Sequence, residues 1–164
     1  MNQNNNIKSE VSQNGATVKI DDQGTDNLRS GEFNNIVGSK RADELMGSGK
    51  KDYLWGDKGD DFLYGNGSDD FIVGGKGSDY LEGGSGRDTF GISKQNGTGK
   101  RNYDWIADFE VGLDQIYVHG NSKGMWIDSF EGSAVIGSGK NNVIAVIEGA
   151  GGELNWSSDG AFIA

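Results

Sequence analysis

Apolar side chains recur every nine residues through the middle of this chain. Leu63, Ile72, Leu81 and Phe90 each stand eighth in a nine-residue unit whose sixth place is taken by Asp61, Asp70, Asp79 or Asp88, with glycine crowded between them. The units read GDKGDDFLY from Gly56, GNGSDDFIV from Gly65, GGKGSDYLE from Gly74 and GGSGRDTFG from Gly83. Six residues dense in Gly and Asp are too short and too glycine-rich for a helix, while the three apolar-centred residues after them suit a short strand. Self-similarity at a fixed period marks a solenoid. The pattern therefore predicts tight turns alternating with short strands, wound as a parallel roll.

Degenerate copies extend the period toward the N-terminus. Asp21–Arg29 places Asp26 sixth and Leu28 eighth, and the next unit is one residue short, so that Asn34 and Ile36 regain the phase. Gly38–Met46 and Gly47–Trp55 then add Asp43 with Leu45 and Asp52 with Leu54. Eight turns are readable, ending at Gly91, with an inward column of Leu28, Ile36, Leu45, Leu54, Leu63, Ile72, Leu81 and Phe90. Ahead of them, the polar Asn/Gln run at the start reads as disordered, and Ala16–Ile20 as a strand covering the first turn. Beyond Gly91 the repeat stops: Ile92–Lys100 reads as a loop, and apolar runs at Met125–Ile127, Ala134–Ile136 and Val143–Ile147 lie between Gly/Ser/Asn turns. An open roll needs capped ends, and 92–164 is expected to be a β-rich C-terminal cap.

Length adds that this is one domain, with an N-terminal flank over 1–20, repeats over 21–91 and the cap over 92–164. Glycine supplies 29 of the 164 residues, and proline and cysteine are absent. That composition fits a backbone that repeatedly enters conformations other residues avoid. A formal charge of −10 and a pI near 4.4 disfavour nucleic acid or an anionic membrane as partner. The acidic residues are placed by the repeat, which points to cations. The thin apolar column does not offset the ordering of so glycine-rich a backbone, and a chain without disulfides needs another staple, of which a bound metal is a known one. No stretch approaches roughly 18 apolar residues, so no spanning helix is expected. The start, MNQNNNIKSE, lacks the apolar core of a Sec signal peptide.

The units resemble the RTX nonapeptide repeats of hemolysin-type calcium-binding proteins, whose pattern is GGxGxD followed by x, a bulky apolar residue and x. GGKGSDYLE and GGSGRDTFG match it fully. Asn102–Val118, NYDWIADFEVGLDQIYV, resembles the segment that commonly follows such arrays and supplies Asp104, Asp108 and Asp114. The resemblance implies an all-β, right-handed parallel β-roll with a β-rich C-terminal cap. It also implies a secreted, extracellular protein leaving by a type I exporter, and the ending Asp159-Gly-Ala-Phe-Ile-Ala is similar to the uncleaved C-terminal signals of such substrates.

Calcium takes six to eight oxygens, carboxylates and backbone carbonyls among them. Turns stacked on one edge of a flattened roll lie about eighteen residues apart, and neighbouring strands roughly 4.8 Å apart, which leaves a gap of ionic size. In the RTX family each ion is held by two sixth-place carboxylates, carbonyls two and four of one turn, and carbonyls one and three of the next. Carried over, Asp61 pairs with Asp79 through the carbonyls of Asp57, Gly59, Gly74 and Lys76. Asp70 pairs with Asp88 through those of Asn66, Ser68, Gly83 and Ser85. Asp43/Asp61, with Gly56 and Lys58, and Asp52/Asp70, with Gly65 and Gly67, come next. At the C-terminal end, the turns holding Gly75, Gly77, Gly84 and Gly86 have no following repeat, and Asp108 and Asp114 are expected as substitute ligands. Arg41, Lys50 and Ser68 stand in fourth places where glycine is usual; Asn34/Asp52 loses a charge, and Asp26/Asp43 spans the short unit. About five ions would bring the formal charge of −10 to zero.

No catalytic constellation is evident: there is one histidine, His119, expected at the surface, no cysteine, and no HExxH, GxSxG or Walker pattern. The chain thus reads as a non-enzymatic calcium-driven folding and secretion module. The alternative is a calcium-dependent polysaccharide-binding module of a secreted carbohydrate-active enzyme of the alginate epimerase type. Two features bear on that alternative. Tyr53, Trp55, Phe62, Tyr64, Phe71 and Tyr80 flank the inward column and should point outward, and Lys40, Lys58 and Lys76 should form a ladder along one edge.

Overall fold

The computed structural model describes residues 9–12, 15–19, 25–27, 34–93, 102–120, 123–140, 142–152, 154–156 and 161–163. The strands of the roll fall alternately into two sheets. One is built on β2 (Gly15–Lys19), β4 (Asn34–Val37), β6 (Asp52–Lys58), β8 (Phe71–Lys76) and β10 (Thr89–Ser93), side by side and parallel. The other is built on β3 (Thr25–Asn27), β5 (Glu44–Met46), β7 (Phe62–Tyr64) and β9 (Tyr80–Glu82), likewise parallel. Among the described residues there is no helix long and apolar enough to cross a membrane.

The register follows from the period. Two nine-residue units make one full winding, so Asn35 lies beside Tyr53 and Tyr53 beside Phe71, and in the other sheet Leu45 lies beside Leu63 and Leu63 beside Leu81. Because a strand alternates its faces, the residue at place eight turns inward whenever places seven and nine turn outward. Ile36, Leu45, Leu54, Leu63, Ile72, Leu81 and Phe90 are all fully buried, as the period requires. Leu28, the eighth member, lies outside the described residues, as do Ile20 and the polar start.

The structure departs from the sequence pattern in two places. The short unit was expected to bring Asp26 beside Asp43, but β3 pairs with β5 so that Asp26 lies opposite Leu45. Asp26 thus stands in register with Leu45 rather than with Asp43. The winding also does not end at Gly91. β10 runs on to Ser93, with Ile92 buried opposite Val118. β11 (Asp104–Ile106) and β12 (Gln115–His119) then add one more parallel strand to each sheet, beside β9 and β10. Ile106 and Ile116 prolong the buried column.

The cap is built on this last winding. β13 (Met125–Phe130), β14 (Ser133–Ser138) and β15 (Asn142–Ile147) form an antiparallel meander whose last strand runs parallel to β11. Their starts coincide with the apolar runs of the sequence to within a residue. On the other sheet, β17 (Ala161–Ile163) covers β12 antiparallel and is itself covered by β16 (Asn155–Trp156). At the opposite end β1 (Ser9–Ser12) covers β2 antiparallel. Antiparallel strands thus close both ends of the first sheet.

Candidate metal centre

The sixth-place residues stack in two columns with a hydrogen bond at each rung. In one, the Asn34, Asp52, Asp70 and Asp88 amides donate in turn to Oδ1 of Asp52 (3.1 Å), Asp70 (2.7 Å), Asp88 (2.8 Å) and Asp114 (2.9 Å). In the other, the Asp43 amide donates to Asp61 Oδ1 (2.8 Å) and the Asp61 amide to Asp79 Oδ1 (2.9 Å). These side chains are buried. Asp61/Asp79, Asp70/Asp88, Asp43/Asp61 and Asp52/Asp70 are therefore all brought together, as is Asn34/Asp52.

The second oxygen of each carboxylate divides the turns into two kinds. Asp43 Oδ2 and Asp52 Oδ2 accept the amides of Ser39 and Ser48 at place two of their own units. Oδ2 of Asp61, Asp70, Asp79 and Asp88 is buried and accepts nothing. Backbone conformation explains the division. In the four units from Gly56 to Gly91, places two and four carry positive φ: Asp57 (75°) and Gly59 (128°), Asn66 (77°) and Ser68 (80°), Gly75 (110°) and Gly77 (139°), Gly84 (91°) and Gly86 (142°). The two preceding units carry Ser at place two and Arg41 or Lys50 at place four, and none of these has positive φ. Arg41 and Lys50 thus escape the strain their side chains would meet, whereas Ser68 accepts it.

Oxygens from successive turns converge beside the first glycine of each unit. A β-carbon at Gly56 would lie 2.2 Å from Asp61 Oδ2 and 2.3 Å from the Gly74 carbonyl oxygen, and one at Gly65 would lie 2.4 Å from Asp70 Oδ2 and 2.5 Å from the Gly83 oxygen. The Asp57, Gly59, Asn66 and Ser68 carbonyls likewise press against Gly75, Gly77, Gly84 and Gly86 of the next stacked turn. Lys76 and Ser85 carbonyls accept the Gly59 (2.8 Å) and Ser68 (2.7 Å) amides, and the Asn66 carbonyl accepts that of Ser85 (3.1 Å); each keeps a second lone pair. Among the described residues no three His, Cys, Asp or Glu side chains converge as a metal cluster, so a cation here must draw on backbone carbonyls. Paired carboxylates, carbonyls and no nitrogen or sulfur form a donor set suited to a hard cation.

Electrostatics point the same way. Burial, followed by the repulsion of stacked neighbours, pushes the Asp61 carboxyl up to about 7, Asp70 to about 8 and Asp88 to about 6, with Asp79 and Asp114 also raised. Backbone amides pull the other way and lose. Four buried oxygens without a donor, on carboxyls that resist ionisation, define places that lack a positive charge.

Beyond the repeats, Asp108 Oδ1 and Oδ2 accept the Gly83 (2.9 Å) and Gly84 (2.7 Å) amides, closing the last repeat turn. Asp114 takes the next place of its column, and its Oδ2 accepts the Glu110 amide (2.8 Å). Asp104 was not among the ligands expected from the sequence, yet it is fully buried and in register with Asp79. The signal was present: Asp104-Trp-Ile106 and Asp114-Gln-Ile116 keep the spacing of Asp79-Tyr-Leu81.

The outer face of the first sheet carries a groove of about 370 Å³. Trp55, Val73, Gly91 and Tyr117 share one row across four strands, so exposed Trp55 and Tyr117 form walls over a floor of Val73 and Gly91. Tyr53 and Phe71 stack at 4.6 Å at one end, and Lys76 and the exposed His119 lie at the other. Tyr53, Trp55 and Phe62 are exposed, while Tyr64, Phe71 and Tyr80 are half-buried. Lys58 lies beside Lys76 in register, and Lys40, Lys58 and Lys76 are all exposed.

Comparison with known proteins agrees with this geometry. Residues 37–72 and 55–90 match the family of the RTX calcium-binding nonapeptide repeat, with four copies. The solution structure of the AlgE6R3 subunit from the Azotobacter vinelandii mannuronan C5-epimerase is similar at 26% identity, covering 68% of this chain and 73% of that one, with a TM-score of 0.53. No curated protein matches the chain.

Proposed function

Because residues 37–90 are RTX calcium-binding nonapeptide repeats wound as a parallel β-roll, we propose that the chain folds when calcium enters its carboxylate columns and acts outside the cell as a folding, secretion and stability module. The observation that carries this reading is the set of bare, buried Oδ2 atoms on Asp61, Asp70, Asp79 and Asp88. When bound, calcium supplies the positive charge these oxygens lack. Asp61 with Asp79, and Asp70 with Asp88, would hold it together with the carbonyls of Asp57, Gly59, Gly74 and Lys76, and of Asn66, Ser68, Gly83 and Ser85. Extracellular calcium modules bind at about 10⁻⁴–10⁻³ M, so each site adds roughly 0.4–1.4 kcal/mol at millimolar calcium. A few such sites approach the scale of a small domain's stability.

Export fits the same scheme. A chain that folds only on loading would pass an exporter unfolded in low calcium inside and fold in high calcium outside. Far-ultraviolet circular dichroism in chelator and in 10 mM calcium tests the reading: β content should appear with calcium, and identical spectra would reject it.

A second reading is favoured by the groove between Trp55 and Tyr117 and by likeness to a module of a polysaccharide-modifying enzyme. Aromatic walls offer faces for sugar rings, and Lys58 and Lys76 at the rim suit an anionic polysaccharide. On this reading the chain is a calcium-dependent carbohydrate-binding module. Binding to an immobilised uronate polymer should require calcium and weaken on Trp55→Ala or Tyr117→Ala.

A further inference from the structure

Both sheets present exposed aromatic side chains on their outer faces, and the two faces differ in charge. None of the eight strands of the second sheet contains Lys or Arg. Its outward places hold carboxylates instead: Glu44 and Asp128 are exposed and Glu82 is half-buried. Glu148, directly after β15, accepts the Trp105 Nε1 hydrogen bond at 3.3 Å. On the first sheet, β6 and β8 end in exposed Lys58 and Lys76, and exposed Lys51 and Arg87 stand shortly ahead of β6 and β10. Asp57 lines the groove and Asp69 pairs with Lys51 at 2.6 Å, so cations outnumber carboxylates on that face of a chain whose formal charge is −10.

Shape follows the same division. Strand pairing sets Glu44, Phe62, Tyr80, Trp105, Val146 and Val135 in one row across the second sheet. Phe62 and Trp105 are 50% and 37% exposed, with half-buried Tyr80 between them and its ring centroid 5.8 Å from that of Phe62. At roughly 4.8 Å per strand, this aromatic ridge is about 10 Å long. The groove of the first sheet also runs across the strands. Its walls, Trp55 and Tyr117, stand three strand spacings apart, about 14 Å, on either side of Val73 and Gly91. The ridge is shorter than the gap between the walls and fits within it.

We propose that the aromatic ridge of one molecule docks in the groove of another, with Glu44 and Glu82 facing the lysines of its rim, so that both faces are occupied by second copies of this chain. A polysaccharide fills the groove alone, whereas a second copy accounts for the ridge as well. The contact goes beyond calcium binding but rests on it: metal-free copies at −10 repel, and about five ions would bring that charge to zero. Ridge and groove are different surfaces, so the contact is heterologous, and each pair keeps one free groove and one free ridge. The assembly grows as an open row. From Glu44 to Val135 the contact strip is about 24 Å long and roughly 10 Å wide, well under the roughly 800 Å² per partner of a standard interface. Association is therefore weak and depends on concentration.

Sedimentation of the full chain in 10 mM calcium tests the contact, with β content followed by circular dichroism for every variant. The average mass of wild type should rise at least about twofold between roughly 10 μM and roughly 1 mM, as suits a weak contact of this size, and roughly 0.5 M salt should reverse most of that rise. Trp55→Ala and Phe62→Ala, both at exposed places, should each show less than half of it. Mixed in equal amounts they should form pairs and nothing larger, because the ridge of Trp55→Ala is intact and so is the groove of Phe62→Ala. Folded wild type that stays monomeric throughout overturns the proposal, and so does a mixture no more associated than its two components. A monomer that binds a uronate polymer through Trp55 gives the groove to sugar alone and overturns it too. Lack of β content in calcium would reject the calcium reading itself, which separates the two failures.

Discussion

Asp70→Asn should change the stability of this chain in opposite directions with and without calcium. Asp70 is buried, its Oδ1 accepts the Asp52 amide at 2.7 Å, and its Oδ2 accepts nothing. Asparagine fits the position, for Asn34 occupies the equivalent place, donates its amide to Asp52 Oδ1 and adds an Nδ2 bond to the same oxygen. Without metal at pH 9, ionised Asp70 is strongly unfavourable: its carboxyl is pushed from 3.8 to about 8, first by burial and then by Asp88 and Asp52. At about 1.4 kcal/mol per pH unit this is on the order of 5 kcal/mol before neighbours relax, so the variant should gain at least ~2 kcal/mol in chelator. In 10 mM calcium the sign reverses. Losing one site with a dissociation constant of about 10⁻⁴–10⁻³ M removes about 1.4–2.7 kcal/mol. Urea titrations followed by circular dichroism at pH 9, in chelator and in 10 mM calcium, measure both terms. If the variant lost equal stability in the two conditions, Asp70 would be an ordinary turn acceptor and the charge argument would fail.

Other consequences follow from the same geometry. In chelator, stability should fall as pH rises from about 4 to about 8, because Asp61, Asp70 and Asp88 have folded-state values above 3.8 and the folded chain holds more protons in that window; a melting temperature that rises across it would contradict the assignment. Ser68→Gly should stabilise by about 0.5–1 kcal/mol, since Ser68 sits at φ 80° and the left-handed penalty of about 1–2 kcal/mol exceeds the added entropy of glycine; a lower urea midpoint would refute the strain. Gly77→Ala should lose about 2–4 kcal/mol in calcium, because its β-carbon would fall 1.6 Å from the Gly59 carbonyl oxygen at a φ of 139°. Gly49→Ala, with nothing within 4 Å, should stay within about 0.5 kcal/mol, and equal losses in the two would remove the stacking argument.

The nine-residue period by itself determined the roll, its inward column and the pairing of sixth-place aspartates. All three depend only on phase, and a winding of two units turns phase into contact between residues eighteen apart. Tertiary structure decided what phase does not encode. Whether an Asp Oδ2 meets a Ser39-type amide or nothing depends on φ at places two and four, a property of the turn's three-dimensional shape. The offset that sets Asp26 beside Leu45, and the winding that returns Asp104 to Asp79 after a break in the period, are set by how strands pair across segments of irregular length. A chain can loop out any number of residues and rejoin the ladder wherever the buried column and the backbone hydrogen bonds are best satisfied, so repeat counting ends at Gly91 while the parallel roll continues to His119.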